Sequence, residues 1–155
     1  MLNLKLSLLL IITFFGLVYL LNYAYLKYND TYSTSKLKNN FMGTILIIFG
    51  LLKLYDITKF SQIFRKYDII SQKLPVYSYI YPFLEIALGI AYLQKYKLNF
   101  ANTITTSLMI VSIISVIISL ISGQKLRCGC MGSFFHIPLS YVTLSENIIM
   151  LSMIM

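Results

Sequence analysis

Residues 98–124 read LNFANTITTSLMIVSIISVIISLISGQ, without a single Asp, Glu, Lys or Arg. As a helix this run rises about 40 Å, more than the roughly 30 Å of a bilayer's hydrocarbon core. It is the cleanest of five apolar segments. Residues 6–26 form the first, also free of charge, and lead into Tyr23, Tyr25 and Tyr28. A cleaved signal peptide wants a core of roughly 7–15 residues and a small-residue cleavage site. The run is longer and lacks that site, so it reads as a retained helix. The second segment is 41–55 with Lys53 inside its end, the third 77–93 with Pro82 and Glu85, and the fifth 137–155 with Glu146. Residues 29–40 (NDTYSTSKLKNN) read as a polar loop.

Composition agrees with this pattern. The 155-residue chain is 58% hydrophobic and 12% charged, against roughly 45–50% and 25% for soluble domains. Five acidic and thirteen basic residues cannot cover a soluble domain of this size. Disorder is excluded by the hydrophobicity, and a disulfide scaffold by a count of two cysteines. The net charge of +8 lies between apolar runs rather than on one face, which suits juxtamembrane anchoring and not nucleic acid. The reading is an all-α, multi-pass transmembrane helical bundle, because helices satisfy their own backbone in lipid. Its partner is the lipid bilayer.

Residues 56–75 (DITKFSQIFRKYDIISQKLP) carry Lys59, Arg65, Lys66 and Lys73. Their apolar residues Ile57, Phe60, Ile63, Phe64, Tyr67 and Ile70 recur at helical spacing, so one amphipathic helix lying in the membrane interface is predicted. Orientation stays open. With five crossings, the amino tail, the 56–75 loop counted together with Lys53, and the loop after the fourth segment carry eight basic residues against five on the other side. The first helix has more Lys on its C-terminal flank, which argues the opposite.

Two ionisable residues lie inside adjacent segments, Lys53 and Glu85. A charge at the bilayer centre costs on the order of 2.5–3.5 kcal/mol, so a Lys53–Glu85 pair facing the bundle interior is one reading. In the other, Lys53 snorkels to the interface beside Asp56, leaving Glu85 protonated or bonded to tyrosine hydroxyls. Glu146 either faces the cysteines or packs as a neutral residue.

Both cysteines fall in Lys125-Leu126-Arg127-Cys128-Gly129-Cys130-Met131-Gly132, with His136 following. Glycine lets the backbone bring the two sulfurs together. Lys125 and Arg127 favour the reactive thiolate. Three roles follow: a redox pair cycling as a readily reduced disulfide; a soft-ion site, Cu(I) above all, of Cys128 and Cys130 with Met131 or His136; or inert small hydrophobes. Two thiolates alone make no closed zinc site.

The run Phe41-Met42-Gly43 through Phe49-Gly50-Leu51-Leu52-Lys53-Leu54 and Asp56, followed by Tyr81-Pro82-Phe83-Leu84-Glu85 and Leu88-Gly89, resembles the MauE/DoxX-like family of membrane proteins. So does Arg127-Cys128-Gly129-Cys130-Met131-Gly132 with Pro138-Leu139-Ser140 and Glu146-Asn147. The resemblance spans residues 41–155 and implies a four-helix core, to which residues 1–40 add an extra transmembrane helix and a polar loop. It also implies a redox-associated role in methylamine utilisation: maturation of an exported, disulfide-rich dehydrogenase subunit alongside a thioredoxin-like partner, in a bacterial inner membrane. Lys53, Glu85, Cys128, Cys130 and Pro138 fall on the family's pattern positions; Lys125, Arg127 and Glu146 are supporting residues on the reading of the residues given above.

The expectation is therefore a membrane redox accessory protein rather than a stand-alone enzyme. No quinone, haem or flavin motif accompanies the cysteines, and the second pair of a quinone-linked thiol oxidase is absent from the sequence. Rival readings are a copper- or mercury-handling membrane protein and a structural subunit that docks a partner on residues 56–75.

Overall fold

A computed structural model describes residues 2–122 and 139–154. Among them the chain is helical with connecting turns: α1 (Leu2–Tyr28), α2 (Thr34–Tyr55), α3 (Ile57–Tyr67), α4 (Ile69–Lys73), α5 (Tyr77–Gln94), α6 (Leu98–Ile121) and α7 (Leu139–Ile154). Two of these, α2 and α6, are long and apolar enough to cross a membrane.

The apolar segments became helices close to their sequence limits, with two departures. The expected loop 29–40 shortens, because α2 begins at Thr34. Residues 34–40 contain no proline or glycine to stop a helix, and Leu37 is drawn into the core, so the polar turns extend α2 past its apolar run. The single amphipathic helix expected over 56–75 is two, broken at Asp68. There the carboxylate accepts the Ser71 backbone N–H at 2.7 Å and caps α4, a local bond that competes with helix continuation. Asp56 caps α3 in the same way through the Lys59 N–H at 3.2 Å.

α6 turns small and hydroxyl side chains inward and large aliphatic ones outward. On α6 the buried positions are Ala101, Thr105, Met109, Ser112, Ser115, Val116 and Ser119, while Phe100, Ile110, Ile114, Ile117, Ile118 and Ile121 are exposed. A water-soluble helix shows the reverse pattern. Small and hydroxyl residues inward with isoleucine outward is how helices associate in lipid, where backbone proximity and interhelical hydrogen bonds replace the hydrophobic drive.

The principal contact is α2 against α5, followed by α6 against α7. α2 and α5 run antiparallel, Gly43 meeting Gly89 while Gly50 meets Pro82 and Ile86. Gly43 and Gly89 are required by close approach: a Cβ on Gly43 would lie 2.7 Å from the Gly89 carbonyl oxygen, and one on Gly89 2.8 Å from that of Gly43. Both obstacles are backbone, which cannot swing aside. α1 packs on α2 through Phe14 and Phe15 against Phe49, and Phe15 against Phe41. Phe15 and Val18 are thereby part of the main core, with Met42, Ile45, Leu46, Leu88, Met109 and Met150.

Antiparallel packing gathers particular ends. Asn147 of α7 meets Ser112 of α6, and Ser115 of α6 meets the α3–α4 junction. The end of α2, the α3–α4 segment, the start of α5, the end of α6 and the start of α7 therefore share one end of the bundle. Replacing Gly89 by Ala should destabilise the protein by about 1–3 kcal/mol, as overpacking does. Gly16→Ala, where a Cβ meets nothing within 4 Å, should be neutral or gain up to about 1 kcal/mol from helix propensity. Unfolding in detergent micelles measures both.

Candidate functional site

Lys53 lies in the last turn of α2 and Glu85 in the middle of α5. The Gly43–Gly89 crossing brings these two helices close enough for the Lys53 ammonium to donate directly to Glu85 Oε1. Both residues are buried, at 5% and 1% exposure, so Lys53 does not snorkel out beside Asp56. Burying two such ions costs several kcal/mol each, and only close pairing offsets it.

Aromatic rings wrap the pair. The Lys53 Nζ is 4.9 Å from the Tyr81 ring centroid and 5.8 Å from that of Phe60, within cation–π range. Phe64 completes the wall, its centroid 4.8 Å from Tyr81 and 5.0 Å from Phe60. Phe60, Phe64 and Tyr67 all come from α3, and they are buried in one cluster with Tyr81 and Val116. The apolar stripe on residues 56–67 thus faces the bundle and covers the ion pair.

Polar contacts fasten this cover at two points. At the first, the Ser78 hydroxyl donates to the Pro75 carbonyl at 2.6 Å and receives the Ser61 hydroxyl at 2.6 Å and the Arg65 Nε–H at 3.2 Å. At the second, the Ile69 N–H donates to Ser115 Oγ at 3.3 Å, and that hydroxyl lies 3.4 Å from the buried Asp68 carboxylate. Deeper in the bundle, Asn147 donates to Ser112 Oγ at 2.8 Å, beside the buried Glu146. At the surface, the side-chain hydrogen bond between Lys59 and Asp56, 2.7 Å long, holds the Asp56 carboxyl below the usual carboxylate range and the Lys59 ammonium above its own.

The family described as methylamine utilisation protein MauE matches residues 35–155. The chain belongs to the MauE family. It is a MauE-type membrane protein, and the match begins in the first turn of α2, leaving α1 outside it although α1 shares the core. Comparison with curated proteins and with solved structures returns no match.

Of the site residues expected from sequence, Lys53 and Glu85 of this MauE protein are brought together, and Glu146 is buried on α7. Cys128, Cys130, Lys125, Arg127, Met131 and His136 lie outside the described residues. Among those described, no group of three or more His, Cys, Asp and Glu is placed to hold a metal ion. Sequence reading overlooked Asp68 and the Ser61–Ser78 and Ser112–Asn147 contacts. Asp68 had a legible signal, since it continues the Phe60–Phe64 stripe at four-residue spacing. The serines at 112, 115 and 119 likewise mark one face of α6.

Removing one member of the pair should cost about 3–5 kcal/mol of unfolding free energy, because the remaining charge stays buried without this counter-ion. Glu85→Met and Lys53→Met test this singly. The double variant Lys53→Met/Glu85→Met should recover most of the loss, giving a large coupling energy in a double-mutant cycle.

Proposed function

We propose that this protein is a multi-pass inner-membrane component that supports maturation of an exported protein by thiol–disulfide exchange at Cys128 and Cys130. Membership of the MauE family carries the reading. The arrangement of the helices adds to it. The helix ends that bracket the cysteine segment, Ile121 of α6 and Leu139 of α7, belong to the same end of the bundle as the Lys53–Glu85 pair. In this reading the five longer helices cross the membrane, and Lys53 and Glu85 hold the bundle or relay protons.

The chemistry balances as a two-electron exchange with a thioredoxin-like partner. One thiolate of the pair attacks a partner disulfide sulfur, forming a mixed disulfide and expelling the second partner sulfur as a thiolate. The other cysteine, deprotonated, attacks the mixed disulfide and releases the partner. The pair ends oxidised, the partner ends as a dithiol, and the two protons lost here are those the partner thiols take up. The reverse sequence reduces the pair again. Lys125 and Arg127 favour the thiolate that each direction requires. Methylamine metabolism is the setting that the family's description supplies.

Labelling with a membrane-impermeant thiol reagent in intact cells, before and after reduction, tests the proposal. Modification of Cys128 and Cys130 only after reduction is the expected result, with an oxidised pair outside the cytoplasm. Free thiols reached only after lysis would overturn it. A Cys128→Ser/Cys130→Ser variant that still matures its client would move the role to partner docking.

A further inference from the structure

We infer that the outer edge of the α3–α5 contact binds the headgroup of an anionic phospholipid, with Arg65 as its fixed donor. Arg65 is held from two sides. Its Nε–H donates to Ser78 Oγ at 3.2 Å, and its guanidinium carbon stands 5.2 Å from the Tyr79 ring centroid. Of the five N–H donors of an arginine, four remain on the two terminal nitrogens, in the planar fork that matches a phosphate. Neither the Lys53–Glu85 nor the Lys59–Asp56 ion pair involves Arg65, so among the described residues no carboxylate claims this guanidinium. Lys59 is already matched, whereas Lys66 and Lys73 are exposed on the same segment and add to the positive field.

The surface beside Arg65 identifies the occupant. Along α5, Tyr79, Ile80 and Phe83 are 39%, 49% and 58% exposed. Within about one turn of helix the surface passes from cations through tyrosine to bare aliphatic and aromatic side chains. That order is the order of a membrane boundary, from headgroup through interfacial aromatics to acyl chains. An acidic protein segment would answer the cations and leave Ile80 and Phe83 unmatched. A free phosphate would do the same. A phospholipid with net negative charge satisfies both, its phosphate on the Arg65 fork and its chains along Ile80 and Phe83. The inference rests on the protein's place in a membrane and is independent of the thiol chemistry.

Native mass spectrometry of the full chain released from detergent micelles tests it, comparing phosphatidylglycerol with phosphatidylcholine of the same acyl chains. Phosphatidylglycerol should be retained at least about fivefold more tightly, the worth of one basic residue at a charged membrane surface. Arg65→Gln should reduce it to the phosphatidylcholine level. Arg65→Lys should fall between, keeping the charge and losing the fork. Lys97→Gln, at the opposite end of the bundle, should change nothing. If Arg65→Gln loses its helical circular dichroism, Lys66→Gln/Lys73→Gln reads the same surface without touching a buried contact, and should also lower retention several-fold. Equal retention of the two lipids, or retention unchanged in these variants, overturns the inference. Displacement by inorganic phosphate alone would show a phosphate site with no lipid specificity. An acidic peptide that binds through Arg65 where phosphatidylglycerol does not would assign the surface to a protein. Either result also overturns it.

Discussion

A lysine and a glutamate that must be buried together set the terms for the rest of this bundle. In hydrocarbon an isolated ammonium or carboxylate is prohibitive, and the pair is tolerable only at contact distance with its surroundings closed. Contact distance between α2 and α5 is available because Gly43 and Gly89 let the two backbones touch. Closure is available because α3 folds back and lays Phe60 and Phe64 over the pair. The glycines, the aromatic stripe and the ion pair are thus three parts of one device. Each would be a liability without the others: glycines weaken a helix, an aromatic stripe at a membrane surface invites association, and an unpaired charge unfolds the core.

The cover over the ion pair is held by more than apolar area. Ser61, Ser78, Arg65, Asp68 and Ser115 tie α3 and α4 to α5 and α6 by hydrogen bonds that are buried or partly buried. In an apolar surrounding such bonds fix geometry, because each donor has few alternative partners. α3 therefore has a defined inward face, while its outward face carries the basic residues. One short helix separates these surface cations from the interior charge, and it lies at the same end of the bundle as the end of α6 and the start of α7.

Much of the helix content was legible in the chain. The uncharged run 98–124 leaves no alternative to a buried or membrane helix, and the limits of α5, α6 and α7 fall within a few residues of their apolar segments. The start of α2 was not legible, since residues 34–40 are polar and helix propensity among such residues discriminates weakly. The break at Asp68 was missed for a related reason. Helical periodicity runs through it, and only the side chain's choice to bond the Ser71 N–H interrupts the ladder. For the site, the identities of Lys53 and Glu85 were readable because a charge in an apolar run is costly wherever it points. Their union was not, because pairing and snorkelling cost similar amounts until the neighbours are known.

By itself, then, the sequence determined that this chain is a helical membrane protein with charges inside its helices and its two cysteines in one segment. Length, apolar run and charge cost are properties of single segments, and a segment carries them wherever it lies. Tertiary structure decided which faces turn inward, that Lys53 meets Glu85, that α3 covers them, and that Arg65 is fixed against Ser78 and Tyr79. In lipid the hydrophobic effect does not distinguish one apolar face from another. The choice falls to backbone proximity at glycine and to hydrogen bonds between helices, and both depend on residues far apart in the chain.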